Sequence, residues 1–232
     1  MNIQAFKQYL ELLKLSGIQD IYFKNNLLKE IEPNQKNNSK ISRITPNNIK
    51  NLKEKYSNCS KCKLSTSRNH FVYGNGNPNA DMMLIGEGPG ADEDKTGNVF
   101  VGKAGQLLTK MLKAINIERD EVYISNIIKC RPPGNRNPHN DEVEACLPYL
   151  LEQIEIISPK LILLLGRVAA ISLFHIDQTL KNYRQKPLYF QGIKTYITYH
   201  PSALLRNPHW KKPAWVDLQK VRDDYKGLTK ET

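Results

Sequence analysis

The sequence predicts an α/β domain: three layers, α/β/α, around a central four-stranded parallel sheet. Three observations carry this. Four short apolar runs, residues 82–85, 121–128, 160–166 and 194–199, have the length of strands. Helix-period segments separate them, as crossovers between parallel strands require. The first run, MMLI, breaks at Gly86 into a loop carrying Glu87 and Phe100, and Gly102 then leads into the helical pattern Leu107, Leu108, Met111, Leu112, Ile115. Strand, glycine-broken loop and helix in that order put the loop at the carboxyl end of a parallel strand, where open α/β sheets bind ligands.

Residues 1–31 show a helical period in Phe6, Tyr9, Leu10 and Leu13, then Ile21, Leu27 and Leu28. The polar stretch PNQKNNSKISRITPNN has little to bury and reads as a linker. Residues 1–50 are therefore read as a helical N-terminal extension with its linker, and residues 51–232 as the main domain. Lysine and arginine outnumber aspartate and glutamate by 34 to 23, a formal charge of +11. The first fifty residues hold eight basic and four acidic side chains, so most of the excess belongs to the main domain. That balance favours a polyanionic partner, nucleic acid before membrane. No apolar run approaches membrane length, and the amino terminus carries Glu11 inside its apolar pattern and no small-residue cleavage site, unlike a secretory signal. An intracellular, reducing compartment is expected, where four cysteines serve as ligands or free thiols before disulfides.

Past the linker come Cys59-Ser-Lys-Cys62 and the turn-rich Tyr73-Gly-Asn-Gly-Asn-Pro78, which delivers the chain to the first strand. Helices are expected over 103–116, 140–157 and 167–174, with Asn140 as N-cap of the second and Pro148 bending or shortening it. A last helix over 214–225 sets Trp215, Leu218 and Val221 on one face, as core. If the sheet is parallel, Glu87 after the first strand, Asn126 at the end of the second, and His200-Pro-Ser-Ala-Leu-Leu-Arg206 after the fourth converge on one edge, together with Phe100. The loop glycines do not fit G-x-G-x-x-G, and no Gly-Lys-Ser/Thr follows to make a P-loop.

Cys59 and Cys62 form a C-x-x-C pair, Cys130 follows the second strand and Cys146 lies on the next helix. Four thiolates suit tetrahedral zinc or a [4Fe-4S] cluster, and spacing alone does not choose. Either would brace the loops.

GEGPGADEDKTGNVFVGKAG, NIIKCRPPGNRNP, the four cysteines at these separations and HPSALLRNP together resemble the family 4, iron–sulfur uracil-DNA glycosylases, over roughly residues 52–221. The resemblance implies a [4Fe-4S] cluster on Cys59, Cys62, Cys130 and Cys146, and a monomer acting on uracil-containing DNA in base excision repair, with no membrane partner. It implies that Phe100 stacks on a flipped-out uracil, Asn126 reads its pairing edge, and Glu87 and His200 line the sugar and the base oxygen. Backbone N–H groups near Gly88 would help His200 meet charge on uracil O2. The family 1 enzymes have an aspartate where Gly88 stands, so Glu87, Glu93 and Asn135 are the candidates to position water, Glu93 having a solvated loop role as its alternative. Leu204 or Leu205 would wedge into the gap left by the base, with core packing as the alternative. Arg206 and Arg136 would meet phosphates. An asparagine amide can be rotated to match cytosine instead, so a neighbour must hold it, and the sequence does not identify that neighbour.

Two rivals share parts of this pattern. A covalently trapping uracil-DNA binder would carry a basic, histidine-containing insertion after the second strand, whereas NIIKCRPPGNRNPHND is short. A zinc-braced nucleic-acid module without catalysis would be colourless and indifferent to replacement of Asn126 or His200. What residues 1–50 bind is left open by the sequence.

Overall fold

The computed structural model describes residues 47–230. The extension and linker expected over 1–50 therefore lie outside the described residues, apart from the last four, which open helix α1 (Asn47–Tyr56). There follow β1 (Asn75–Gly76), β2 (Met82–Gly86), α2 (Ala91–Thr96), α3 (Lys103–Ala114), β3 (Tyr123–Asn126), α4 (Asn140–Ile157) and β4 (Leu161–Leu165). The chain continues through α5 (Arg167–Phe174), α6 (Leu180–Tyr183), β5 (Leu188–Phe190), β6 (Ile193–Thr198), α7 (Pro201–Arg206) and α8 (Lys211–Lys230).

The strands form one mixed sheet in the order β1-β3-β2-β4-β6-β5. Its middle is the expected four-stranded parallel set, β3-β2-β4-β6, and the two edge strands run antiparallel. The edge strands hold two and three residues, too few to leave a period in the sequence. β2 and β4 are buried along their whole length, which is why MMLIG and LILLL read as unbroken apolar runs rather than alternations. Alternation appears instead in what each side chain meets. Met83, Ile85, Ile162 and Leu164 join α4 and α5 on one face, while Met82, Leu84, Leu161, Leu163 and Leu165 join α3 and α8 on the other. The connection leaving β2 runs to one face and those leaving its neighbours β3 and β4 run to the other, which opens a crevice at their carboxyl ends.

Three local expectations change. His139, not Asn140, is the N-cap of α4, and the Glu142 carboxylate accepts from its backbone N–H at 2.8 Å. Pro148 lies inside α4 without shortening it, because the packed face of Cys146, Tyr149, Leu150, Gln153, Ile154 and Ile157 outweighs one missing backbone hydrogen bond. The last helix begins at Lys211 rather than residue 214, with Pro213 in its first turn, where the absent N–H costs nothing, and of its expected core face Leu218 and Val221 are buried while Trp215 stands 39% exposed.

Candidate active site

Parallel pairing sets Gly86 beside Asn126 at the ends of β2 and β3. The ladder runs past the strands, Ile127 N donating to Gly86 O at 2.9 Å and Ile128 N to Glu87 O at 3.1 Å. A Cβ on Gly86 would lie 2.4 Å from Asn126 Oδ1 and 2.6 Å from Phe100 Cζ. Glycine is thus what lets an amide and a phenyl ring meet there.

Phe100 itself sits in the left-handed region, φ 50°. For a bulky residue that conformation needs support from its surroundings. Glu93 supplies it: Oε1 accepts from Val101 N (2.8 Å) and Gly102 N (2.9 Å), and Oε2 from Gly90 N (3.1 Å). Arg119 holds the other side, donating to Val99 O at 2.8 Å and Thr109 Oγ1 at 3.1 Å. Below, a Cβ on Gly105 would be 1.8 Å from Phe100 O, so only glycine lets α3 pack this closely.

His200 caps α7. Ser202 N donates to its Nδ1 at 3.2 Å, which makes Nδ1 an acceptor and leaves the ring proton on Nε2. Burial, with the nearby Arg206 charge adding to it, pushes the imidazole pKa down to about 4, so the ring is neutral near pH 7. Its centroid is 5.6 Å from that of Phe100.

These groups wall a cavity of about 290 Å³. Glu87, Gly88, Glu93, Phe100, Asn126, Asn135, Arg136, His200 and Arg206 all line it, so the expected convergence is present, and Ser202 and Ile128 join them. Asn126 lines the cavity, is 1% exposed, and its buried Oδ1 has no hydrogen-bond partner, an acceptor left without a donor. Burial raises the Glu87 carboxyl pKa, with Arg206 opposing the shift.

Some expected roles do not survive the geometry. Leu204 is 1% exposed in the core with α3 and α8, so it cannot wedge, whereas Leu205 stands 44% exposed. Glu93 is neither solvated nor free to hold water, since three backbone donors occupy its oxygens. Arg136 pairs with the buried Glu142 by two bonds, 2.6 and 2.8 Å, so its charge is already partnered, though its side chain stays partly exposed. Asn135 lies at the exposed rim in a left-handed conformation, its Oδ1 accepting from Arg131 Nε at 2.8 Å.

Lys129 is a residue the sequence did not single out. Its side chain is fully buried, and Nζ donates to Asn126 O (2.8 Å), Ser125 Oγ (2.6 Å) and Gln153 Oε1 (2.7 Å). Gln153 in turn donates to Tyr73 O at 2.8 Å. This network pins the end of β3, and with it the backbone of Asn126. One lysine in NIIKC looks like any other basic residue until the fold buries it.

All four cysteines are free thiols in one packed region, with Cys130 and Cys146 buried and Cys59 and Cys62 partly so. Three sulfurs accept hydrogen bonds: Cys130 from Arg68 Nη1 (3.2 Å), Cys59 from Tyr149 OH (3.0 Å) and Cys146 from Lys129 N (3.2 Å). Burial raises the Cys146 thiol to about 12 and raises Cys130 as well. Among the described residues, no group of three or more His, Cys, Asp or Glu side chains is set to hold a metal ion.

Comparison with known proteins bears on the whole of this arrangement. Residues 73–219 match the uracil DNA glycosylase superfamily. The chain is 44% identical over 184 residues to a type-4 uracil-DNA glycosylase of Sulfurisphaera tokodaii, covering 75% of this chain and 84% of that protein. It is 43% identical over 178 residues to one of Pyrobaculum aerophilum (73% and 91% covered) and 45% identical over 160 residues to one of Thermotoga maritima (67% and 82%). With the cavity at the carboxyl edge of the sheet, four free cysteines in one packed region and this extent of identity, the chain belongs to the type-4 uracil-DNA glycosylases.

Proposed function

We propose that the cavity holds a uracil extruded from DNA and that its residues release the base by a dissociative route. The chain is a uracil-DNA glycosylase, a hydrolase of DNA repair. The observation that carries the site reading is the unpartnered, buried Oδ1 of Asn126 beside Phe100. Uracil offers a donor at N3–H next to an acceptor at O4, and the amide presents the complementary pair. With Oδ1 as the acceptor, cytosine, which has an acceptor at N3, leaves Oδ1 unpaired, and a buried unpaired acceptor costs about 1–3 kcal/mol. Lys129 and its network hold the backbone of the strand end that presents the amide, through the bond from Nζ to Asn126 O.

Extrusion costs a few kcal/mol, and stacking on Phe100 offsets part of this. As the C1′–N1 bond breaks, its electron pair goes to the base, with charge on O2, and the sugar becomes cationic. His200, neutral with its proton on Nε2, donates toward that oxygen, helped by backbone N–H near Gly88. Ionised Glu87 faces the cationic sugar and orients the water that adds to C1′, the water's second proton passing to solvent. A weak base suffices there, because the cation is the stronger partner. Arg206 and Leu205 meet the DNA around the gap.

The family implies a [4Fe-4S] cluster, and the donor set fits it: four free thiols, three already receiving N–H or O–H bonds of the kind that stabilise thiolate sulfur. Cys59, Cys62, Cys130 and Cys146 would hold it, and it supplies bracing between the segment before the sheet and the one after β3.

The test is uracil release from a labelled oligonucleotide by protein purified without oxygen. Wild type releases free uracil and leaves an abasic site, whereas Asn126→Ala and His200→Ala each lose about 10²–10³ in rate with the fold intact. Unchanged release by both variants, or a protein–DNA adduct that survives denaturation, overturns this assignment.

A further inference from the structure

From Arg206, which lines the cavity, the chain runs on through residues 207–216, a stretch whose exposed side chains are both apolar and basic. Leu205, Trp210, Trp215 and Val216 are 44, 39, 39 and 47% exposed. Arg206, Lys211 and Lys212 are exposed among them, and none joins an ion pair among the described residues. No aspartate or glutamate falls within the stretch.

Trp210 stands on a built support. Its ring stacks on Tyr199, centroids 5.3 Å apart and planes 30° from parallel. Tyr199 also carries the Arg184 guanidinium 4.5 Å over its ring, and its hydroxyl accepts from Arg184 Nη1 at 3.2 Å. Arg184 is anchored by the buried Asp217 (2.6 and 3.0 Å) and by Pro213 O (2.8 Å). Tyr199 immediately precedes His200 in the chain, and Arg206, four residues before Trp210, lines the cavity.

A partly exposed indole on a rigid base, flanked by free cations, suits one kind of partner. Bases of a single strand stack on aromatic faces whatever their identity, while lysines track the phosphates. A duplex keeps its bases stacked inside and offers the indole nothing. Self-association through a two-fold axis would set Arg206, Lys211 and Lys212 against their own copies, a like-charge arrangement that opposes pairing. We infer that Trp210, backed by Tyr199 and flanked by Lys211 and Lys212, is a stacking platform for an unpaired base of the uracil-bearing strand, so that the protein holds single-stranded substrate beyond the flipped nucleotide. The inference deepens the glycosylase reading and rests on it for the position of the strand.

Fluorescence anisotropy of the full chain on a uracil-free single-stranded oligothymidine and on a matched duplex tests it. Trp210→Ala weakens single-strand binding by roughly 5- to 100-fold and leaves duplex binding within about twofold, and Trp210→Phe restores most of the loss. Lys211→Gln with Lys212→Gln lowers the slope of log K against log salt on the single strand by about 1.4, which reads the platform even if the tryptophan variant folds poorly. Equal weakening on both probes, an unchanged salt slope, or loss of a dimer in sedimentation with DNA binding unaltered overturns the inference. Because the probes lack uracil, the two proposals fail separately. A wrong platform leaves uracil release intact and single-strand binding insensitive to Trp210, whereas a wrong glycosylase assignment abolishes release in wild type and spares the binding.

Discussion

At the end of β2 a single methyl group would close the cavity. Gly86→Ala places a carbon 2.4 Å from Asn126 Oδ1 and 2.6 Å from Phe100, and both are side-chain atoms that must move. We expect uracil release to fall about 10²-fold or more in single-turnover assays, with about 1–3 kcal/mol lost in denaturant melts from overpacking. The titrating groups make a second prediction. Glu87 has a raised pKa, so on acidification it loses its charge earlier than an ordinary glutamate, and with it the support for a cationic sugar. His200, pushed down to about 4, stays a neutral donor through that range. The acid limb of kcat/KM in wild type therefore has its midpoint above the ordinary glutamate range. Glu87→Gln lowers the plateau and moves the remaining limb down toward pH 4, as stopped assays at constant ionic strength would show. That Glu87, Asn126, His200 and Phe100 meet at one cavity was legible in the sequence because each lies at the end of a strand or in the loop after it. Ser202 and Lys129 were not, because nothing in a serine or a lysine announces that its partner is an imidazole nitrogen or a backbone carbonyl.

Among the elements, α2 does the work that the sequence left undescribed. The segment ADEDKT looked like an acidic loop, yet it folds as a short helix whose Glu93 gathers three backbone N–H groups from both sides of the Phe100 loop. Glu93→Ala leaves three donors to water and frees Phe100 from its left-handed backbone. The expected result is about 2–4 kcal/mol of lost stability in thermal or denaturant melts and a KM increase larger than the drop in kcat. Glu93→Gln keeps one acceptor and should recover part of both. Strand and helix positions were readable here because buried parallel strands leave continuous apolar runs and helices a regular stripe. Helices of six residues, such as α2 and α7, bury too little to leave a period, so their roles had to wait for the fold.

Over the whole molecule, the cysteine quartet joins segments that are up to 87 residues apart, from Cys59 to Cys146. If these cysteines hold the proposed cluster, replacing one of them, as in Cys146→Ser, should abolish the brown colour and visible absorption expected of protein purified without oxygen. It should also lower the melting temperature, while a Cys146→Ser chain that remains coloured would refute the ligand set. By itself the sequence determined the alternation of strands and helices, the basic charge and the order in which chemically apt residues follow the strands, since these depend on local pattern and residue type. Only the tertiary structure decided that Leu204 is core while Leu205 is exposed, that Arg136 belongs to Glu142, and that a buried lysine ties the end of β3 to the helix behind it. The physical reason is that burial and hydrogen-bond partnership are properties of pairs brought together across the chain, and no window of neighbouring residues contains both members of such a pair.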